Sequence, residues 1–93
     1  MNWNELLIES GLNEREIRSL LALTSKPKQR ASDLAKALGT TRLDAYNSLS
    51  RLQEIGIVTA TADRPMRFTS MDLDDAIIHI IEMRSNQLSR LKS

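Results

Sequence analysis

The feature that most constrains this chain runs from Asp33 to Val58, where two short apolar stripes at helical spacing are joined by a glycine-led turn. Leu34, Ala35 and Leu38 form the first stripe and Gly39-Thr40-Thr41 the turn. Ala45, Leu49 and Leu52 form the second stripe, and Gly56-Ile57-Val58 the exit. Small Ala35 and Ala45 let two helices cross closely, while Gly39 takes a positive φ that residues with a Cβ resist. The spacing predicts a helix-turn-helix.

The flanking sequence extends that pattern. Asn2 caps a short lead-in helix with Trp3, Leu6 and Leu7 on one face, ended by Gly11. Asn13 and Glu16 form a capping-box pair ahead of Ile17, Leu20, Leu21 and Thr24, and Pro27 forbids continuation, so a helix is predicted over 14–24. A loop at Lys26-Pro27-Lys28-Gln29 leads to a short extended piece at Arg30-Ala31. Ser32 is the predicted cap of the next helix, and Gly39 its stop. Thr41 caps the helix after that, with Asp44 as a weaker box partner and Gly56 as terminator. The runs 57–61 and 66–70 are rich in β-formers and are separated by Ala62-Asp63-Arg64-Pro65, which predicts a hairpin. Asp72 then caps a last helix from Leu73 to the C-terminus, with Asp74 and Asp75 in its first turn.

This order predicts a mainly α fold with a small β-hairpin: a winged helix-turn-helix over residues 1–71, followed by a C-terminal dimerisation helix over 72–93. With one Trp, one Tyr and one Phe, the core must be aliphatic.

Composition excludes several functions. The absence of cysteine rules out disulfides and thiol chemistry, and the lone His79 cannot build a metal cluster. No nucleophile-base set and no phosphate loop is present, so an enzyme is not expected. Asp72, Asp74 and Asp75 are explained by helix capping. No run is long and apolar enough to span a bilayer and no signal peptide opens the chain, so a cytoplasmic protein is expected.

The net charge of +1 conceals an asymmetry. From Lys26 to Arg67 eight basic residues face four acidic ones, a net +4, while the flanks carry −3. A polyanion is expected to meet the middle of the chain. The helix from Thr41 to Ile55 turns Arg42, Leu43, Tyr46, Asn47, Ser50 and Arg51 away from its apolar stripe. Arg can pair with guanine, Asn with adenine, and Leu43 can pack on a thymine methyl, so Arg42, Leu43 and Asn47 are the base-reading candidates. Tyr46 lies beside the stripe and reads as half-buried with a wet hydroxyl. Ser32 and Thr41, at helix starts, are phosphate-contact candidates, and simple capping explains both equally. Arg64 and Arg67 flank a turn stiffened by Pro65, where a wing reaches the neighbouring backbone or minor groove, or else they only solubilise the hairpin. Lys26, Lys28 and Arg30 form a small basic run that is either a further contact or a solvated loop.

Along the last helix Ile77, Ile81, Leu88 and Leu91 form a seam interrupted by Arg84, and Ile78 and Ile80 widen it. A second copy could cover this surface, and the alternative is a helix folded on its own domain. His79 reads as an interface or surface residue, and Arg84 could pair with Glu82 or with acids of a partner.

Gly11 to Ile17, Ala31 to Ala35, Ala45 to Leu49, Leu52 to Val58 and Arg64 to Phe68 together resemble the N-terminal domain of TrmB-type archaeal transcriptional regulators, over residues 8 to 80. The resemblance rests on a G-L-[TS]-x-x-E-x start, a V-Y-x-x-L-x-x-L-E-x-x-G-L-V recognition segment and a G-x-P-x-x-[FY] wing. It implies a homodimer binding double-stranded DNA, without a cofactor or a membrane. Full-length members carry a C-terminal sugar-sensing domain that these residues do not match, so the resemblance implies no effector. The expected function is therefore a sequence-specific DNA-binding regulator. An architectural DNA binder and a winged-helix adaptor between proteins are the alternatives.

Overall fold

The computed structural model describes residues 5, 9 and 11–92. The helix predicted from Asn2, with Trp3, Leu6 and Leu7, lies mostly outside them. Helix α1 spans Glu14–Ser25, α2 Ala31–Leu38 and α3 Arg42–Glu54; strands β1 (Val58–Ala60) and β2 (Phe68–Ser70) follow, then α4 (Leu73–Lys92).

The predicted capping box of α1 forms. The Glu16 amide donates to Asn13 Oδ1 at 2.8 Å, and the Asn13 amide donates to Glu16 Oε1 at 3.0 Å. The core-facing row is Ile17, Leu20 and Leu23; Leu21 and Thr24, expected in that row, are only half-buried. Steps of three from Ile17 keep to the side that meets α2 and α3.

The start of α2 corrects the sequence reading. Ala31 is already helical and Arg30 is the N-cap, so Ser32 sits inside the first turn and caps nothing. Arg30 has no acceptor to offer the helix amides. Asp33, in the third helical position, reaches back and accepts from the Arg30 amide at 3.2 Å. The extended segment before α2 is likewise displaced, because Gln29 rather than Ala31 pairs with β2: the Gln29 amide donates to the Phe68 carbonyl at 3.1 Å, and the Phe68 amide donates back at 2.7 Å. The buried Gln29 side chain donates to the carbonyls of Ala22 and Lys26 and finishes α1, which lacks a glycine stop.

Gly39 ends α2 in the left-handed region at φ 68°. Thr41 caps α3 by accepting from the Asp44 amide at 3.1 Å, and Asp44 itself turns to Arg15 at 3.4 Å, so the second box stays half-formed. At the far end of α3, Gly56 adopts φ 87° and closes a Schellman motif: the Gly56 amide donates to Gln53, and the Ile57 amide donates to Leu52.

The hairpin pairs Val58 with Ser70, Thr59 with Thr69 and Ala60 with Phe68. Its strands are shorter than the five-residue runs predicted, because pairing ends at the Thr61–Arg67 hydrogen bond and residues 62–66 form the wing tip. Leu20, Leu34, Ala45, Leu49, Leu52, Ile57 and Phe68 interlock as the fully buried centre. The first two turns of α4 close this core with Ala76 and Ile80, with Leu73 and Ile77 partly buried beside them. Ile80, expected to widen the exposed seam, is thus 8% exposed in its own domain, and Ile77 divides between core and surface.

Candidate nucleic-acid interface

Helix α3 owes its outward face to the same periodicity that buries Ala45, Ser48, Leu49 and Leu52. Leu43, Asn47 and Arg51 follow one another at steps of four on the exposed side, with Leu43 67% exposed. Ser50 is half-buried beside them. Arg51 shares its charge with Glu54 at 3.5 Å.

Arg42 and Tyr46, the other outward row, border a groove of about 620 Å³ between the start of α2, the start of α3 and the wing. Arg30, Ala31 and Ser32 form one side, Arg64, Pro65 and Met66 the other, with Phe68 among the lining residues. Ser32 and Arg64, predicted separately from sequence, therefore meet Arg42 and Tyr46 at one place. Among the described residues, the side chains of Arg42 and Arg64 make no ion pair or hydrogen bond.

Tyr46 is expected beside the apolar stripe, half-buried with its hydroxyl towards solvent. It is 45% exposed, and its ring stands edge-on to Phe68 at 6.4 Å between centroids and 81° between planes. Phe68 at the wing's root is buried in the core, so the edge contact joins the groove-lining tyrosine to it.

Arg67 does not line the groove. Its Nη1 donates to the Lys28 carbonyl at 3.2 Å and its amide to Thr61 Oγ1 at 3.0 Å, so it ties the wing to the loop before α2. Arg30, read only as part of a basic run, does line it. Its guanidinium forks onto Asp33 through Nε and Nη2, both at 3.0 Å. That fork, helped by the Arg30 amide and the Arg67 charge, holds the Asp33 carboxyl down at about 2. The signal missed was the Arg30–Asp33 spacing across a helix start, where three residues bring the side chains together.

At the opposite end of α3, helix α4 presents Ile78 and Ile81, 53% and 47% exposed. The side chains of Arg84, Leu88 and Leu91 lie outside the described residues. No helix among the described residues is long and apolar enough to cross a membrane.

Solved structures share this fold at low identity. A transcriptional regulator from Thermotoga maritima superposes with a TM-score of 0.68 and 22% identity over 94% of this chain, which spans 64% of that protein's length. A MarR family protein from Bacillus stearothermophilus gives a TM-score of 0.66 and 17% identity, covering 95% of this chain and 64% of its own. An S. aureus MepR mutant, solved bound to an oligodeoxyribonucleotide, gives a TM-score of 0.67 and 15% identity, covering 94% of this chain and 68% of its own. No curated relative matches the chain. Residues 6–74 match the model of the family described as sugar-specific transcriptional regulator TrmB, and with its winged helix-turn-helix complete over those residues, the chain belongs to the TrmB family.

Proposed function

We propose that the protein is a sequence-specific transcriptional regulator that binds double-stranded DNA as a homodimer. Helix α3 lies in the major groove, where Arg42, Leu43 and Asn47 read base edges. Thr41, Tyr46, Ser50, Arg51 and Ser32 contact backbone, Arg64 carries the wing onto the adjacent strand, and Arg67 holds the wing in place while adding positive charge. Residues 1–71 form the DNA-binding unit and 72–93 the dimerisation helix, with Ile78 and Ile81, the outer side of Ile77, and Leu88 and Leu91 as its seam. The protein acts by binding, not catalysis, needs no cofactor, and works in the cytoplasm.

The observation that carries this reading is the groove itself. Three arginines, a tyrosine and a serine from three separate elements converge beside the exposed face of α3. A phosphate backbone satisfies cations arranged along a groove, and its counterion release makes binding steeply salt-dependent. The oligodeoxyribonucleotide bound to the MepR mutant supports the same use of the fold.

The test is titration, at two salt concentrations, of a duplex selected from a random pool and of its scrambled counterpart. Tighter binding of the selected duplex, weakened by salt, is expected. Equal, salt-sensitive binding of both would indicate an architectural binder, and weak binding indifferent to salt an adaptor between proteins; either overturns the proposal.

A further inference from the structure

Helix α4 meets the rest of the domain through an apolar side and a hydrogen bond. Leu73, Ala76, Ile77 and Ile80 bury one side of its first turns, and such contacts fix distance well but direction poorly. A hydrogen bond joins α4 to another element: His79 Nε2 lies 2.7 Å from the Ile55 carbonyl. That carbonyl belongs to the C-cap of α3. The carbonyl can only accept, so Nε2 carries the hydrogen.

The surroundings suit this link. The Schellman motif already occupies the carbonyls of Leu52 and Gln53, leaving that of Ile55 for a donor from outside α3. A Cβ on Gly56 would stand 3.1 Å from His79 Nε2, so the glycine both makes the turn and leaves room for the imidazole. His79 is half-buried and lies next in sequence to Ile78, which is exposed.

We infer that His79 is a positioning residue: by pinning α4 to the C-cap of α3, it sets the angle of the recognition helix relative to the dimerisation helix, and so the separation of two DNA half-sites. This rests on the dimeric DNA-binding reading for its consequence, but the pin itself is a property of one chain. Half-sites read by a dimer are spaced by about one helical turn, or 34–36 Å, so a small rotation at α3 displaces the reading side chains from the bases.

The absence of cysteine permits the pin to be measured without DNA. Spin labels at Gln53→Cys and Ser85→Cys, both exposed positions, report the α3–α4 geometry within one chain when labelled protein is diluted in unlabelled. A narrow distance distribution is expected for the parent. It should broaden in His79→Leu and in His79→Asn, whose amide is too short to reach, and narrow again in His79→Gln, whose amide nitrogen sits near the place of Nε2. Circular dichroism confirms that each variant is folded. In parallel, on selected duplexes with altered half-site spacing, the parent's preference for one spacing should shrink in His79→Leu by about two- to tenfold, the range of one neutral hydrogen bond, and return in His79→Gln. Identical distributions in the parent and His79→Leu, or no recovery in His79→Gln, overturn the inference. Failure of the parent to prefer any duplex instead overturns the DNA-binding reading and leaves the distance result standing.

Discussion

Asp33 illustrates how a single side chain does two tasks at the groove: it replaces the missing cap of α2 and orients Arg30. Its folded carboxyl is held at about 2, below the roughly 3.9 of an unfolded aspartate. A depressed acid contributes stability that is complete above the unfolded value and is lost as pH falls from about 4 towards 2. Thermal melts across that window should therefore fall more steeply for the parent than for Asp33→Asn, and parallel curves would show that the fork contributes nothing. Arg42 and Arg64 differ in their expected role despite equal charge. Arg42→Ala should cost about 1–3 kcal/mol on the selected duplex and relax discrimination at one position, whereas Arg64→Ala should weaken all duplexes alike and lower the salt slope by about 1. Competition binding with single-base variants separates the two patterns.

At the scale of elements, helix ends were the most legible part of the chain. Asn13 with Glu16, Thr41, Gly39 and Gly56 act within a few residues of themselves, so their roles follow from order alone. Gly56→Ala should destabilise the fold by about 1–2 kcal/mol, read as a lower denaturant midpoint, since its φ of 87° disfavours a Cβ and the new methyl meets His79. The start of α2 was less legible because Ser32 is a favoured cap by type, yet the chain enters the helix two residues earlier, just after Gln29 is held to β2. Gln29→Ala should cost about 1–3 kcal/mol in the same measurement, since the Lys26 carbonyl loses its donor while that of Ala22 keeps the Lys26 amide and the Ser25 hydroxyl.

For the whole molecule, the proposed dimer rests on how α4 divides between its own core and an exposed side. Ala76 and Ile80 face inward, while Ile78 and Ile81 face out. Ile81→Glu should accordingly leave the single chain folded but convert a two-chain mass to a one-chain mass in light scattering, with duplex affinity falling at least about tenfold as the second half-site is lost. A two-chain mass in this variant would exclude Ile81 from the interface. From sequence the inward and outward isoleucines could not be separated, since the four isoleucines around His79 over 77–81 cover most of the helix circumference in little more than one turn.

The sequence by itself determined the order of the described helices and hairpin, the helix stops, the outward face of α3 and the family. These follow from periodicity and from caps, which act over three or four residues. Only the tertiary structure showed that Arg67 binds the Lys28 carbonyl 39 positions away, that His79 reaches Ile55 24 positions away, and that Tyr46 stands against Phe68. Such pairings depend on how separately formed elements cross, and no local pattern encodes the crossing. The groove belongs to this second class: its arginines are visible along the chain, but their convergence is a consequence of packing α2, α3 and the wing around one buried core.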